Sequence, residues 1–158
     1  MRNLTGRLKS FVYIYIVCIG LFHLYTAIFG SLEAYLQRNV HLLWVLPMCF
    51  ILYPASKKSP METVPWYDWL LAISSALPGL YVIFNYEFII YRMVQVDPVT
   101  TTQIALGLLL VVLLLEGTRR VVGLPLAIIG ALFALYMYFG HYMPGVFRTY
   151  PFSFDRII

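Results

Sequence analysis

Charge is scarce in this sequence. Asp, Glu, Lys and Arg make up 11% of 158 residues, against 61% hydrophobic residues, and the mean hydropathy is +0.81. Soluble domains carry charge on roughly a quarter of their residues. A surface this poor in charge would not stay in water, so the bilayer is the expected solvent and one membrane domain over 1–158 is expected. Cysteine is scarce as well. Cys18 and Cys49 each lie within an apolar run, as buried thiols acting as small hydrophobes do. A disulfide framework or a zinc site would need other spacings. The histidines are His23, His41 and His141. There is no H-E-x-x-H, G-x-S-x-G, P-loop or dinucleotide fingerprint, so catalysis is not expected. The formal charge of +4 and pI near 9.1 fit Lys and Arg at the cytoplasmic ends of helices. No recognition motif points to nucleic acid.

What is present is a series of apolar runs. MRNLTGRLKS places Arg2, Arg7 and Lys9 ahead of residues 11–29. That order resembles a signal peptide, but the run is long and no small-x-small cleavage site follows it. A first transmembrane helix is favoured. SLEAYLQRN (31–39) reads as an interfacial turn of helix. VHLLWVLPMCFILYP (40–54) is apolar but short, with Pro47 inside it, and spans only if its flanks help or the bilayer thins. ASKKSPMETVP (55–65) is the clearest loop, with Lys57, Lys58, Pro60 and Pro65.

The third run covers 66–85 and opens on Trp66, Tyr67 and Trp69, an aromatic belt that anchors the chain at the interface. Ser74, Ser75, Pro78 and Gly79 should bend it, with neighbouring helices or the serine hydroxyls taking up freed carbonyls. NYEFIIYRM then carries Glu87 and Arg92 into water. Thr100 or Thr101 could cap the next helix. The last runs are 103–117 and 124–140. In the final one Ala127/Ala131 and Gly130/Ala134 are spaced for close helix packing. The expected fold is an all-α membrane bundle of four to five transmembrane helices plus interfacial segments. With a cytoplasmic N-terminus and five spans, seven Lys and Arg lie inside against four outside, which supports that orientation.

Glu116, Arg119 and Arg120 fall between the last two runs, and Gly123 and Pro125 close the interval as a helix break requires. Three readings compete. The favoured one is a surface ion pair ending a helix, since burial of each charge would cost about 2.5–3.5 kcal/mol and Glu116 precedes Arg120 by four residues, the favourable order. The others are contact with a partner domain or anionic lipid, and an intramembrane ion relay. His23 and His41, near the facing ends of adjacent spans, could ligate haem b, although interfacial histidines more often hydrogen-bond there. FSFDRII reads as the start of a further helix, with Ser153 as N-cap and Asp155 in the first turn, so a longer polypeptide or assembly is expected.

LLLEGTRRVVGLPLAIIGALFALYMYFGHYMPG resembles the end of the small membrane domain of TRAP transporters, the tripartite ATP-independent periplasmic family. The similarity is nearest to the fused permeases of its TAXI subgroup. PWYDWLLAISSALPGLYVIFNYE and VHLLWVLPMCFILYP are similar to earlier parts of that domain, and the resemblance covers roughly 35–158. Its most specific part is the E-x-x-R-R-V-V-G-x-P-L block, which places Glu116, Arg119, Arg120, Gly123 and Pro125.

The resemblance implies a scaffold for a large elevator-type permease domain. It implies partnership with that domain, with lipid and with a periplasmic binding protein that delivers organic acids across the bacterial inner membrane. The substrate site and the coupling ion, sodium or proton, are implied in the large domain, and no cofactor is expected in this chain. The five motif residues are implied to shape the helix turn and the interdomain contact. The family's small domain has four spans, where five runs are counted here. Readings from other classes are a haem- or quinone-binding redox subunit and a stand-alone membrane assembly factor or channel.

Overall fold

The computed structural model describes residues 1–56, 58–93 and 97–150, and the described residues contain helices and no strand. Lys57 and the FSFDRII segment lie outside them. Backbone contacts divide the chain into two compact units, Met1–Arg92 and Met93–Ile158.

The first unit holds α1 (Gly6–Phe29), α2 (Ala34–Leu52), α3 (Trp66–Phe84) and the short α4 (Tyr86–Tyr91). Its helices alternate in direction. The start of α1 meets the end of α2, His23 meets His41, and Asn39 reaches Gly79. α2 begins six residues earlier than the apolar run expected at 40–54, because the Glu33 carboxylate accepts the backbone N–H groups of Tyr35 and Leu36 at 2.8 and 3.2 Å. That cap starts the helix inside what reads as an interfacial turn. α2 continues through Pro47 and α3 through Pro78. The buried Ser75 hydroxyl donates to the Ala72 carbonyl at 2.8 Å, two residues before the Ser74 carbonyl that Pro78 leaves without its helical donor.

α2 and α3 make the close helix pair of this unit. Leu46, Met48, Phe50, Ile51 and Ala72 form its core, with Phe50 fully buried. The two helices approach closely at Gly79, where an added Cβ would lie 3.0 Å from Leu43 Cβ. Beside it the Asn39 side-chain amide donates to the Gly79 carbonyl at 3.0 Å. Gly79→Val is therefore expected to lower stability in detergent by about 1–3 kcal/mol through overpacking. An unchanged thermal midpoint would refute the close approach. α1 meets α2 differently, through large rings: Tyr15 donates to the Trp44 carbonyl at 3.2 Å, and Phe22 stacks on Trp44 at 6.3 Å between centroids.

The second unit holds α5 (Thr101–Val121), α6 (Leu124–Phe139) and two single 3₁₀ turns, Gly140–Tyr142 and Gly145–Phe147. Thr100 is the N-cap, and its N–H donates to Gln103 Oε1 at 3.0 Å, so the threonine start expected from sequence holds at Thr100. α6 turns its small residues inward. Ala127 is buried and Ala131 and Ala134 are half-buried, while a Cβ on Gly130 would come within 3.3 Å of Leu115. This is the packing the small-residue spacing predicts. Past α6 the chain folds back, the Tyr136 hydroxyl donating to the Phe147 carbonyl at 2.7 Å and the Thr149 N–H to the Gly140 carbonyl at 3.1 Å.

Three helical segments are long and apolar enough to cross a membrane: Gly6–Phe29, Trp66–Phe84 and Leu124–Tyr142. The chain is thus an all-helical protein of membrane type. The two other expected spans both lie in polar-ended helices. Gln37, Arg38, Asn39 and His41 occupy the first half of α2, and Glu116, Arg119 and Arg120 the last part of α5.

Candidate functional site

The residues singled out by sequence gather at the α5–α6 turn. Arg119 grips Glu116 with two donors, Nε to Oε2 at 2.7 Å and Nη2 to Oε1 at 2.8 Å. Arg120 Nε reaches Oε1 at 2.7 Å. The expected Glu116–Arg120 pair is present, and Arg119 completes a three-charge cluster that the i,i+4 reading did not include. Such charge-assisted, forked bonds are short and directional. Both arginines sit in the last turn of α5, where the helix dipole favours cations. The Arg120 side chain is 2% exposed, against 35% for Arg119 and 28% for Glu116.

The turn itself depends on glycine. Gly123 has φ +124°, a backbone that side chains with a Cβ rarely adopt. Pro125 then falls in the first turn of α6, where its missing N–H has no helical acceptor to lose. Of the aromatic anchors, Trp66 and Trp69 are exposed, and the half-buried Tyr67 donates its hydroxyl to Ser59 at 3.4 Å.

Two polar clusters lie in the first unit; of these the sequence offered only the nearness of His23 and His41. At one end Arg2 is buried. Its guanidinium donates to the Phe50 and Ile51 carbonyls at 3.0 and 2.9 Å and to the Pro60 carbonyl at 3.2 Å, and it pairs with Asp68. Both side chains are 0% exposed. The Arg2 N–H also donates to the Leu52 carbonyl and the Asn3 N–H to the Met61 carbonyl, each at 2.8 Å. Arg2 thus caps the C-terminal carbonyls of α2 and ties them to the first turn of α3. Counted by sequence as an orienting charge, Arg2 proves to be an internal strut. Asp68 sits among Trp66, Tyr67 and Trp69, in a stretch that reads as an interfacial belt, and no spacing marks it as buried.

At the other end His41 Nδ1 lies 3.0 Å from His23 Nε2. Thr26 Oγ1 donates to the His23 carbonyl at 3.1 Å and accepts from Gln37 Nε2 at 3.3 Å. Nearby, Tyr86 donates its hydroxyl to Glu33 Oε2 at 3.3 Å. Desolvation, followed by the charge of that carboxylate, pushes the phenol above its ordinary value.

The histidine pair does not straddle a haem iron as it stands. Axial ligation on both faces would place the two nitrogens roughly 4 Å apart, twice a metal–imidazole distance of about 2.0–2.1 Å, whereas these rings meet at hydrogen-bond distance. No group of three or more His, Cys, Asp or Glu side chains placed to hold a metal occurs among the described residues. Compared with protein-family models, curated proteins and solved structures, the chain finds no match in any of the three.

Proposed function

We propose that this chain is the small membrane domain of a secondary transporter of the TRAP class, a helical scaffold that braces a large elevator-type domain in the bacterial inner membrane. On this reading 40–54 and 103–117 also cross the bilayer, giving four to five spans with the N-terminus in the cytoplasm. The large domain carries organic acid and coupling ion, and a periplasmic binding protein docks on the assembly. The observation that supports this most is the form of the E-x-x-R-R-V-V-G-x-P-L block. Its charges close on one another as Glu116 with Arg119 and Arg120, and Gly123 and Pro125 set the next helix. That is a rigid helix end suited to a packing contact. Exposed Leu126, Ile129, Leu132 and Phe133 on α6 give it apolar surface for lipid or a neighbouring membrane domain.

The test is to tag the N-terminus at the native locus and purify in mild detergent. The expected product is either a polypeptide much larger than 18.2 kDa or this chain together with a larger membrane protein. Deletion is expected to abolish uptake of an organic acid. The chain recovered alone, with uptake intact in its absence, would overturn the reading.

A further inference from the structure

The polar cluster between α1 and α2 has a feature that hydrogen bonding leaves unexplained. Gln37 Oε1 is buried and has no hydrogen-bond partner among the described residues. A buried acceptor left unmet forfeits the hydrogen bond it would make in water. Thr26 fixes the amide by taking the bond from Nε2, so the oxygen is the atom left over. Gln37 stands four residues before His41, on the same face of α2. Both line a pocket of about 460 Å³ together with His23, Arg38 and Leu42.

We infer that His23, His41 and Gln37 form a binding site for a borderline divalent cation of the Zn²⁺ kind. Imidazole nitrogen and a carbonyl oxygen are ligands that Zn²⁺, Co²⁺, Ni²⁺ and Cu²⁺ accept. With metal–nitrogen bonds of about 2.0–2.1 Å, two ligand nitrogens lie roughly 3.4 Å apart in a tetrahedron and about 2.9 Å apart at a right angle. The 3.0 Å between His23 Nε2 and His41 Nδ1 falls between these values. The same contact that is too close for a haem iron between the rings therefore suits neighbouring ligands of a smaller ion. The cation takes the place of the proton now shared between the rings, each neutral imidazole offering its lone pair. Gln37 Oε1 supplies a third ligand and gains the partner it lacks. Arg38 lines the same pocket, so the fourth position suits water or a small anion and not a second cation. The ion adds a further tie between α1 and α2, helices already joined by ring contacts at Trp44 and by the Tyr15–Trp44 and Gln37–Thr26 hydrogen bonds.

The experiment uses the protein purified with a tag other than polyhistidine and washed with EDTA, then titrated with Co²⁺ and, by calorimetry, with Zn²⁺. The expected result is one ion per chain, visible d–d bands of nitrogen and oxygen ligation, and a rise in melting temperature. His23→Gln and His41→Gln are each expected to weaken binding at least about tenfold, and Gln37→Leu, which keeps both rings, to weaken it less. A wild-type protein that binds no more tightly than the His23→Gln/His41→Gln double variant overturns the site and leaves only a hydrogen bond. Sulfur-to-cobalt charge-transfer bands, marking Cys18 or Cys49 as ligands, overturn it equally. Wild type that shows neither the d–d bands nor saturable heat with Zn²⁺ also overturns the site, so a variant that does not fold cannot rescue the proposal. It is also independent of the transporter reading, since metal binding with no change in uptake leaves it standing.

Discussion

Asp68→Ala is expected to destabilise the first unit by about 3–5 kcal/mol, the usual effect of removing one partner from a buried ion pair. Arg2 would keep its bonds to the Phe50, Ile51 and Pro60 carbonyls, which places the loss near the lower figure. Arg2→Met should be worse. It strips three donors from those carbonyls and leaves Asp68, 0% exposed, without this counter-charge. The double variant Arg2→Met/Asp68→Leu separates two roles. If the ion pair alone mattered, an apolar replacement would be near neutral. If Arg2 acts as the cap of α2, the double variant stays destabilised, because each lost bond to a carbonyl is worth about 1 kcal/mol or more. Thermal unfolding in detergent measures this. A double variant as stable as wild type would refute the capping role, and a stable Asp68→Ala would refute the strut altogether.

The second large effect is expected at the α5–α6 turn. Arg120→Glu places a carboxylate four residues after Glu116, a like-charge pair, in a last turn whose dipole disfavours anions. The Arg120 side chain is nearly buried and Glu116 is partly open to solvent, so a loss of about 2–3 kcal/mol is expected, below the range for fully buried pairs. On the scaffold reading the yield of assembled transporter falls, while transport per intact complex is retained. Arg120→Gln should show the same pattern in weaker form. Normal yield with lost transport would refute the assignment and move this cluster to the transport path.

Much of the helix pattern was legible because apolar run length and glycine or proline breaks are local properties. α1 covers the 11–29 run and begins at Gly6, α3 opens at Trp66 as read, and α5 and α6 meet at Gly123. α2 joins the interfacial turn read at 31–39 to the run at 40–54, because a carboxylate at Glu33 is enough to begin the helix at Ala34. The Glu116–Arg120 pair was legible because its partners lie one helical turn apart. Arg2 and Asp68 lie 66 residues apart, so no periodicity links them, whereas the order of the runs already set His23 near His41, without their hydrogen-bond distance. An acidic residue set among Trp66, Tyr67 and Trp69 is the signal that could have drawn attention to the first pair.

By itself the sequence determined an all-helical chain for a low-dielectric solvent. So few charges cannot clothe a soluble surface, and only helices satisfy the backbone of such runs from within. It also determined the rigid turn at Gly123 and Pro125, where conformational freedom belongs to single residues. Only the tertiary structure decided which charges are buried. Desolvating Arg2 and Asp68 is tolerable only when they meet each other and three carbonyls at once, and that meeting depends on how α1, α2 and α3 are brought together. The same holds for Gln37, whose unmet oxygen exists only because Thr26, one helix away, has taken the amide's other end.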